Sequence, residues 1–207
     1  LLGRGGKHRS MLEAHTKARY NVSMVKRAYK YRFYPTPEQE QLLAQTFGCV
    51  RVVYNQVLRW RTDAFYKDQQ KIGYIQASAK LTELKRQPEF HWLNGVSCVP
   101  LQQSLRHQQA AFKNFFEGRA RYPQFKKKRS RQSAEFTKSG FQYRDGKLTL
   151  AKCKEPLDIR WSREPSSEPG TIAMTKDTAG RYFVSMLCEF EPTRLPVVNQ
   201  TVGLDLG

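Results

Sequence analysis

The chain has 207 residues, with 36 Lys and Arg against 18 Asp and Glu, a net charge of +18, and 12% aromatic residues. So large a cationic excess is the footprint of a protein that neutralises phosphates. The aromatic mass excludes a disordered basic tail, which lacks the apolar surface to fold. No run approaches the roughly 18 apolar residues of a membrane span, and no apolar N-terminal run of signal-peptide type is present. Cys49, Cys98, Cys153 and Cys188 are too dispersed for a C-x-x-C zinc site, and they read as free buried thiols of a cytoplasmic protein. His8, His15, His91 and His107 show no ligand spacing.

In chain order, residues 1–23 hold five basic residues and little apolar periodicity, and read as a disordered basic extension. Arg27 to Tyr34 alternates Tyr29, Tyr31 and Phe33 with Lys30 and Arg32, the period-two pattern of a strand with an apolar inside and a basic outside available to phosphate. Thr36, Pro37 and Gln39 then spell a capping box with proline at the first helical position. Leu43, Phe47, Val50, Tyr54, Val57, Arg61 and Ala64 follow at helical spacing, on one long helix or two joined near Gly48. Arg51 and Asn55 share a face of it, available either to nucleic acid or to hold the helix against the sheet.

A second helix is expected over about Ala77–Gln87, ended by Pro88, and Trp92 and Leu93 read as a packing anchor before a turn at Asn94-Gly95. Pro100 opens a third helix with the stripe Leu101, Leu105, Phe112 and Phe115, and Gly118 lies near its end. Residues 119–131, RARYPQFKKKRSR, are strongly basic, without an acidic residue, and are interrupted by Tyr122 and Phe125. There Lys126, Lys127, Lys128, Arg129 and Arg131 suit phosphate, and Tyr122 or Phe125 suits stacking on a base. Strands are expected at Ala134–Lys138, Lys147–Leu150, Leu157–Trp161, Thr171–Lys176 and Arg181–Phe190, with a hairpin turn at Asp145-Gly146. The chain closes on the short apolar strand Thr201–Gly207, in which Asp205 is either a ligand for catalytic metal or an ordinary edge-strand carboxylate facing water.

A strand, three helices and then many strands describe an α+β chain: a β-barrel whose first strand is cut off from the rest by a helical insertion. Six pieces in this order carry a resemblance: KYRFYPTPEQ; GCVRVVYN at Gly48–Asn55; LTELK with WLNGVSCVPLQQSLRHQQAAFKNFF; YPQFKKKR; GRYFVSMLCEFE; and VGLDLG. Over about residues 24–207 the chain resembles the TnpB (OrfB) proteins of bacterial insertion sequences, which have been called transposases. The resemblance implies an OB-like wedge barrel (residues 24–35 and 121–195) interrupted by a helical recognition bundle of helix-turn-helix type (36–120), then the start of a RuvC-like nuclease domain (196–207).

It also implies a guide-RNA partner, DNA cleavage beside a short target-adjacent motif, and three carboxylates holding Mg2+, of which Asp205 matches the first. The family's second and third carboxylates and its zinc site match nothing before Gly207, so this stretch alone is expected not to cleave. Carried over position by position, Tyr74, Ser78, Cys98, Val99 and Gln102 would face the target DNA. Gln102 suits an adenine edge. A stand-alone helix-turn-helix DNA-binding module and an OB-type general RNA-binding protein fit the same bulk features.

Overall fold

The computed structural model describes residues 24–192; the expected basic extension, the terminal strand and Asp205 lie outside the described residues. The chain divides into two compact units, and the one described here is Lys26–Phe190. Its elements run β1 (Val25–Tyr34), α1 (Pro37–Asp68), α2 (Tyr74–Arg86), a 3-10 helix (Pro88–Gly95), α3 (Cys98–Phe116), β2 (Gln132–Thr137), β3 (Phe141–Arg144), β4 (Lys147–Leu150), β5 (Asp158–Arg160), β6 (Pro169–Lys176) and β7 (Tyr182–Phe190). This is a mixed α and β unit with three helices inserted between the first strand and the remainder.

The sheet order is β2-β6-β7-β1-β5, with β3 and β4 forming a separate antiparallel hairpin. The β1–β5, β2–β6 and β6–β7 pairings are antiparallel. Among the described residues, β2 and β5 are the two ends of this sheet. The structure therefore supports an antiparallel sheet interrupted by helices, the coarser part of the expected barrel.

The period-two pattern of β1 is realised as written: Tyr29, Tyr31 and Phe33 are buried, while Lys30, Arg32 and Tyr34 are exposed. The buried rings meet Ile172, Met174, Val184, Met186 and Cys188 in one apolar core that also takes in Leu43, Phe47, Leu81, Leu101 and Leu105 from the helices. Among the described residues, the buried hydroxyl of Tyr31 finds no hydrogen-bond partner.

α1 begins as the sequence spells it. Thr36 Oγ1 accepts from the Gln39 amide at 3.3 Å, and the Thr36 amide donates back to Gln39 Oε1 at 3.1 Å. Gln39 Nε2 continues to the carbonyls of Glu155 and Pro156, tying the helix start to the strand region. The helix then runs unbroken through Gly48 for 32 residues, so the second of the two readings, a break at Gly48, does not occur.

Four further expectations change. Trp92 is half-exposed, and Leu93 alone is the anchor, fully buried in a 3-10 helix rather than beside a turn. α2 starts three residues early, at Tyr74, because the Gly73 amide donates to Gln76 Oε1 and the chain needs no side-chain cap. β3 pairs with β4 ahead of the Asp145-Gly146 turn, where Asp145 and Gly146 both take positive φ. Of the four free thiols, Cys49 and Cys188 are buried, but Cys98 is exposed and Cys153 half-buried. Burial pushes the Cys49 thiol up to about 11 and the Cys188 thiol upward, so neither is a ready thiolate at neutral pH.

Candidate nucleic-acid interface

The middle of α1 and the basic segment after α3 form one unit. Asn55 Nδ2 donates to the carbonyl of Lys126 at 3.0 Å, and the Lys126 amide donates to Asn55 Oδ1 at 2.8 Å. One amide side chain thus satisfies both backbone groups of a residue 71 positions away in sequence, fixing an otherwise irregular segment against the helix. Asn55 is a clamp within the protein, holding the basic segment after α3 against α1. Arg51, one turn earlier, donates to Gln132 Oε1 at 3.4 Å, and Gln132 Nε2 donates to the carbonyls of Lys128 and Ser130. The turn at 128–132 is therefore ordered from its end, where β2 begins.

The same segment is pinned at its start. The hydroxyls of Tyr122 and Thr62 lie 2.7 Å apart. The Tyr122 ring packs edge-on against Phe112 at 5.5 Å and Phe115 at 5.2 Å. The ring is thus partnered within the protein by the aromatic side chains of α3, a contact for which a ring inside a basic run gave no local sign. Lys126 is half-buried, with its ammonium 4.7 Å above the Tyr54 ring, and burial pushes its pKa downward. Lys126 therefore reaches solvent less freely than its neighbours.

Phe125 is left outside, 55% exposed. It stands between two shallow grooves. One, of about 420 Å³, is lined by Phe47, Arg51, Lys127, Ser130 and Arg131, among others. The other, of about 540 Å³, is lined by Asn55, Gln56, Arg59, Thr62, Asp63 and Phe125. Lys127, Lys128, Arg129 and Arg131 are exposed, and among the described residues none of them is in an ion pair. Four cations with no carboxylate beside them repel one another until an anion enters. Arg59, on the far side of Phe125, was not singled out in the sequence, although it lies one turn beyond Asn55.

The residues carried over from the family resemblance lie on the starts of α2 and α3. Ser97 caps α3, its hydroxyl accepting from the Val99 amide at 3.4 Å. Cys98 and Gln102 are exposed on its first turns, and Tyr74 and Ser78 are half-buried on α2. Val99 points the other way: it packs against Gly140, where an added Cβ would come within 3.2 Å of its side chain. Val99 therefore supports the sheet and does not face outward. Arg106, one turn beyond Gln102, places its guanidinium 4.5 Å above the Tyr74 ring and joins the two helix starts. Its i+4 spacing from Gln102 was the available signal.

Among the described residues, no group of three His, Cys, Asp or Glu is placed to hold a metal ion. Neither the magnesium nor the zinc of the family resemblance finds a fitting donor set among those residues. Also among them, no helix is long and apolar enough to cross a membrane.

A helix-turn-helix domain of the OrfB kind matches residues 24–70, which in this structure are β1 and α1. A protein of Streptomyces pristinaespiralis named "Putative RNA-guided DNA endonuclease" is 54% identical over 189 residues, 90% of this chain and 47% of its own length. InsQ of Escherichia coli K12, also named a putative RNA-guided DNA endonuclease, is 28% identical over 186 residues, 87% of this chain and 45% of its own. The virulence protein VsdF of Salmonella dublin is 31% identical over 111 residues that make up 93% of it.

The chain belongs to the TnpB/OrfB family. It spans about half the length of the two endonuclease-named relatives. Within a TnpB/OrfB chain, the α1 clamp and the basic segment that it holds thus belong to the part shared with those relatives.

Proposed function

We propose that this chain is the nucleic-acid-gripping portion of an RNA-guided DNA endonuclease, holding a guide RNA and the target DNA beside it. The observation that carries this reading is the Asn55 clamp, which presents Phe125 between Arg59 and the free cations Lys127, Lys128, Arg129 and Arg131. Aromatic rings flanked by cations suit a strand's bases and phosphates together. The 54% identity to a relative of that name gives the pairing of RNA and DNA its support.

In this reading the α1 grooves carry backbone contacts, which position without reading sequence. Gln102 and Ser78, with Tyr74 and Arg106 behind them, face a short duplex motif, where a glutamine amide fits an adenine edge. Guide pairing then reads most of the target, as in other RNA-guided nucleases. Asp205, which lies outside the described residues, is the residue we assign as a magnesium ligand of the nuclease domain, and the OB-like wedge is the architecture we assign to the sheet.

Isolating the chain from its host and sequencing the nucleic acid it retains tests the reading. One defined RNA transcribed from the element supports it. Retention of DNA alone would favour a stand-alone helix-turn-helix module, and bulk ribosomal RNA would favour a general RNA-binding protein.

A further inference from the structure

At the other end of the sheet from β2, a second cationic surface is built from β1, β5 and β7. Lys30, Arg32 and Tyr34 leave β1 on its exposed face. In the β1–β5 register Arg32 lies directly opposite Arg160, and Tyr34 opposite Asp158. Like charges directly across a strand pair are destabilising, yet both guanidiniums converge on one ring. Arg32 is 5.0 Å and Arg160 5.4 Å from the Tyr34 centroid.

Beside them, the Lys30 ammonium stands 4.4 Å above the Phe183 ring of β7. Tyr34 is 44% exposed. Phe183, half-buried, belongs to neither apolar cluster of the described residues. Among the described residues, Lys30, Arg32 and Arg160 have no ion-pair partner. A cation over an exposed ring gains from the ring's negative face, but two guanidiniums set against each other on one ring also repel.

We propose that this face is a stacking platform for an unpaired nucleic-acid strand, with a base laid on Tyr34 and the flanking phosphates taken by Arg32, Arg160 and Lys30. The occupant must be polyanionic, to relieve the opposed guanidiniums, and planar, to use the rings. A single-stranded polynucleotide meets both demands. A duplex meets only the first, because its bases are stacked on one another. The platform shares no residue with the lining of the α1 grooves, so it is a separate site. It rests on the reading of the chain as a nucleic-acid-binding protein.

The test is fluorescence anisotropy of the 207-residue chain with an oligouridine, an oligothymidine and a DNA hairpin duplex. Tyr34→Ala and the double variant Arg32→Gln/Arg160→Gln should each weaken single-strand binding about tenfold, with duplex binding changed less than about twofold. Tyr34→Phe, which keeps the ring and the fold, should restore wild-type affinity. A loss confined to oligouridine assigns the strand as RNA, and one confined to oligothymidine assigns it as DNA. Unchanged single-strand binding, or an equal loss on the duplex, overturns the platform. If the wild-type chain binds none of the three probes, the nucleic-acid reading itself falls, and the platform with it.

Discussion

Arg61 lies on the apolar face of α1, between Val57 and Ala64, and among the described residues it is the charged side chain that the core encloses. Its guanidinium donates to the Ile72 carbonyl at 2.6 Å, to Gln109 Oε1 at 2.8 Å and to Gln108 Oε1 at 3.3 Å, and sits 4.2 Å above the Phe112 ring. Gln108 in turn donates to the Tyr54 carbonyl, so the network joins α1, α3 and the loop between α1 and α2. A buried charge is tolerated when its donors are used in this way. Arg61→Met keeps the bulk but strands the acceptors, and should cost about 2–4 kcal/mol in a urea-unfolding measurement. Arg59→Met, exposed one turn away from Asn55, should change stability by less than about 0.5 kcal/mol. At Gln102, exposed and free to meet a base edge, Gln102→Ala should relax preference at one or two positions of a bound duplex by about 1–3 kcal/mol. A uniform loss across sequences in a competition assay would make it a scaffold residue.

At the scale of elements, the start of α1 is held to the sheet by Glu40. Its carboxylate accepts from the Tyr182 hydroxyl at 2.8 Å and meets the Lys176 ammonium at 3.1 Å. These two bonds, the tyrosine's first, hold the Glu40 pKa below its ordinary value of 4.5. The sign follows: the unfolded carboxyl takes up a proton before the folded one does, so this tie stabilises fully above the ordinary value and is lost as pH falls through the lowered one. Thermal midpoints should fall on acidification through that range, and Glu40→Gln should flatten the dependence. An identical acid profile in the variant would show that Glu40 does not couple helix and sheet.

Elements with short-range signatures were legible in the sequence. The alternation of β1, the Thr36 box, and the stripe Leu101, Leu105 and Phe112 of α3 all specify themselves within a few residues. β3 was not legible, because its residues are only half-buried or exposed and pair solely with β4. Trp92 misled because size suggested burial, whereas its indole donates to the nearby Glu89 carbonyl and leaves the ring at the surface. The site divides along the same line. The cations of 126–131 are plain in the sequence. That Tyr122 meets Thr62, and that Asn55 reaches Lys126, depends on contacts across 60 to 71 positions.

For the whole molecule, 36 basic residues stand against 18 acidic ones, and two surfaces of the described residues carry cations without an ion-pair partner there. One lies along α1 and the segment it clamps, and the other on the outer face of β1 and β5. The fixed positions of Asn55, Gln132 and Tyr122 mean that the first surface is ordered before any partner arrives, so binding there requires little further loss of backbone freedom. In the proposed function, Lys127, Lys128 and Arg131 meet phosphate along that first surface. The most direct measurement is the salt dependence of duplex DNA binding by the wild-type chain and by the triple variant Lys127→Gln/Lys128→Gln/Arg131→Gln. The slope of log affinity against log salt should become shallower by up to about 0.9 for each lost phosphate contact, with the fold unchanged by circular dichroism. A slope equal to that of the wild type would contradict the account.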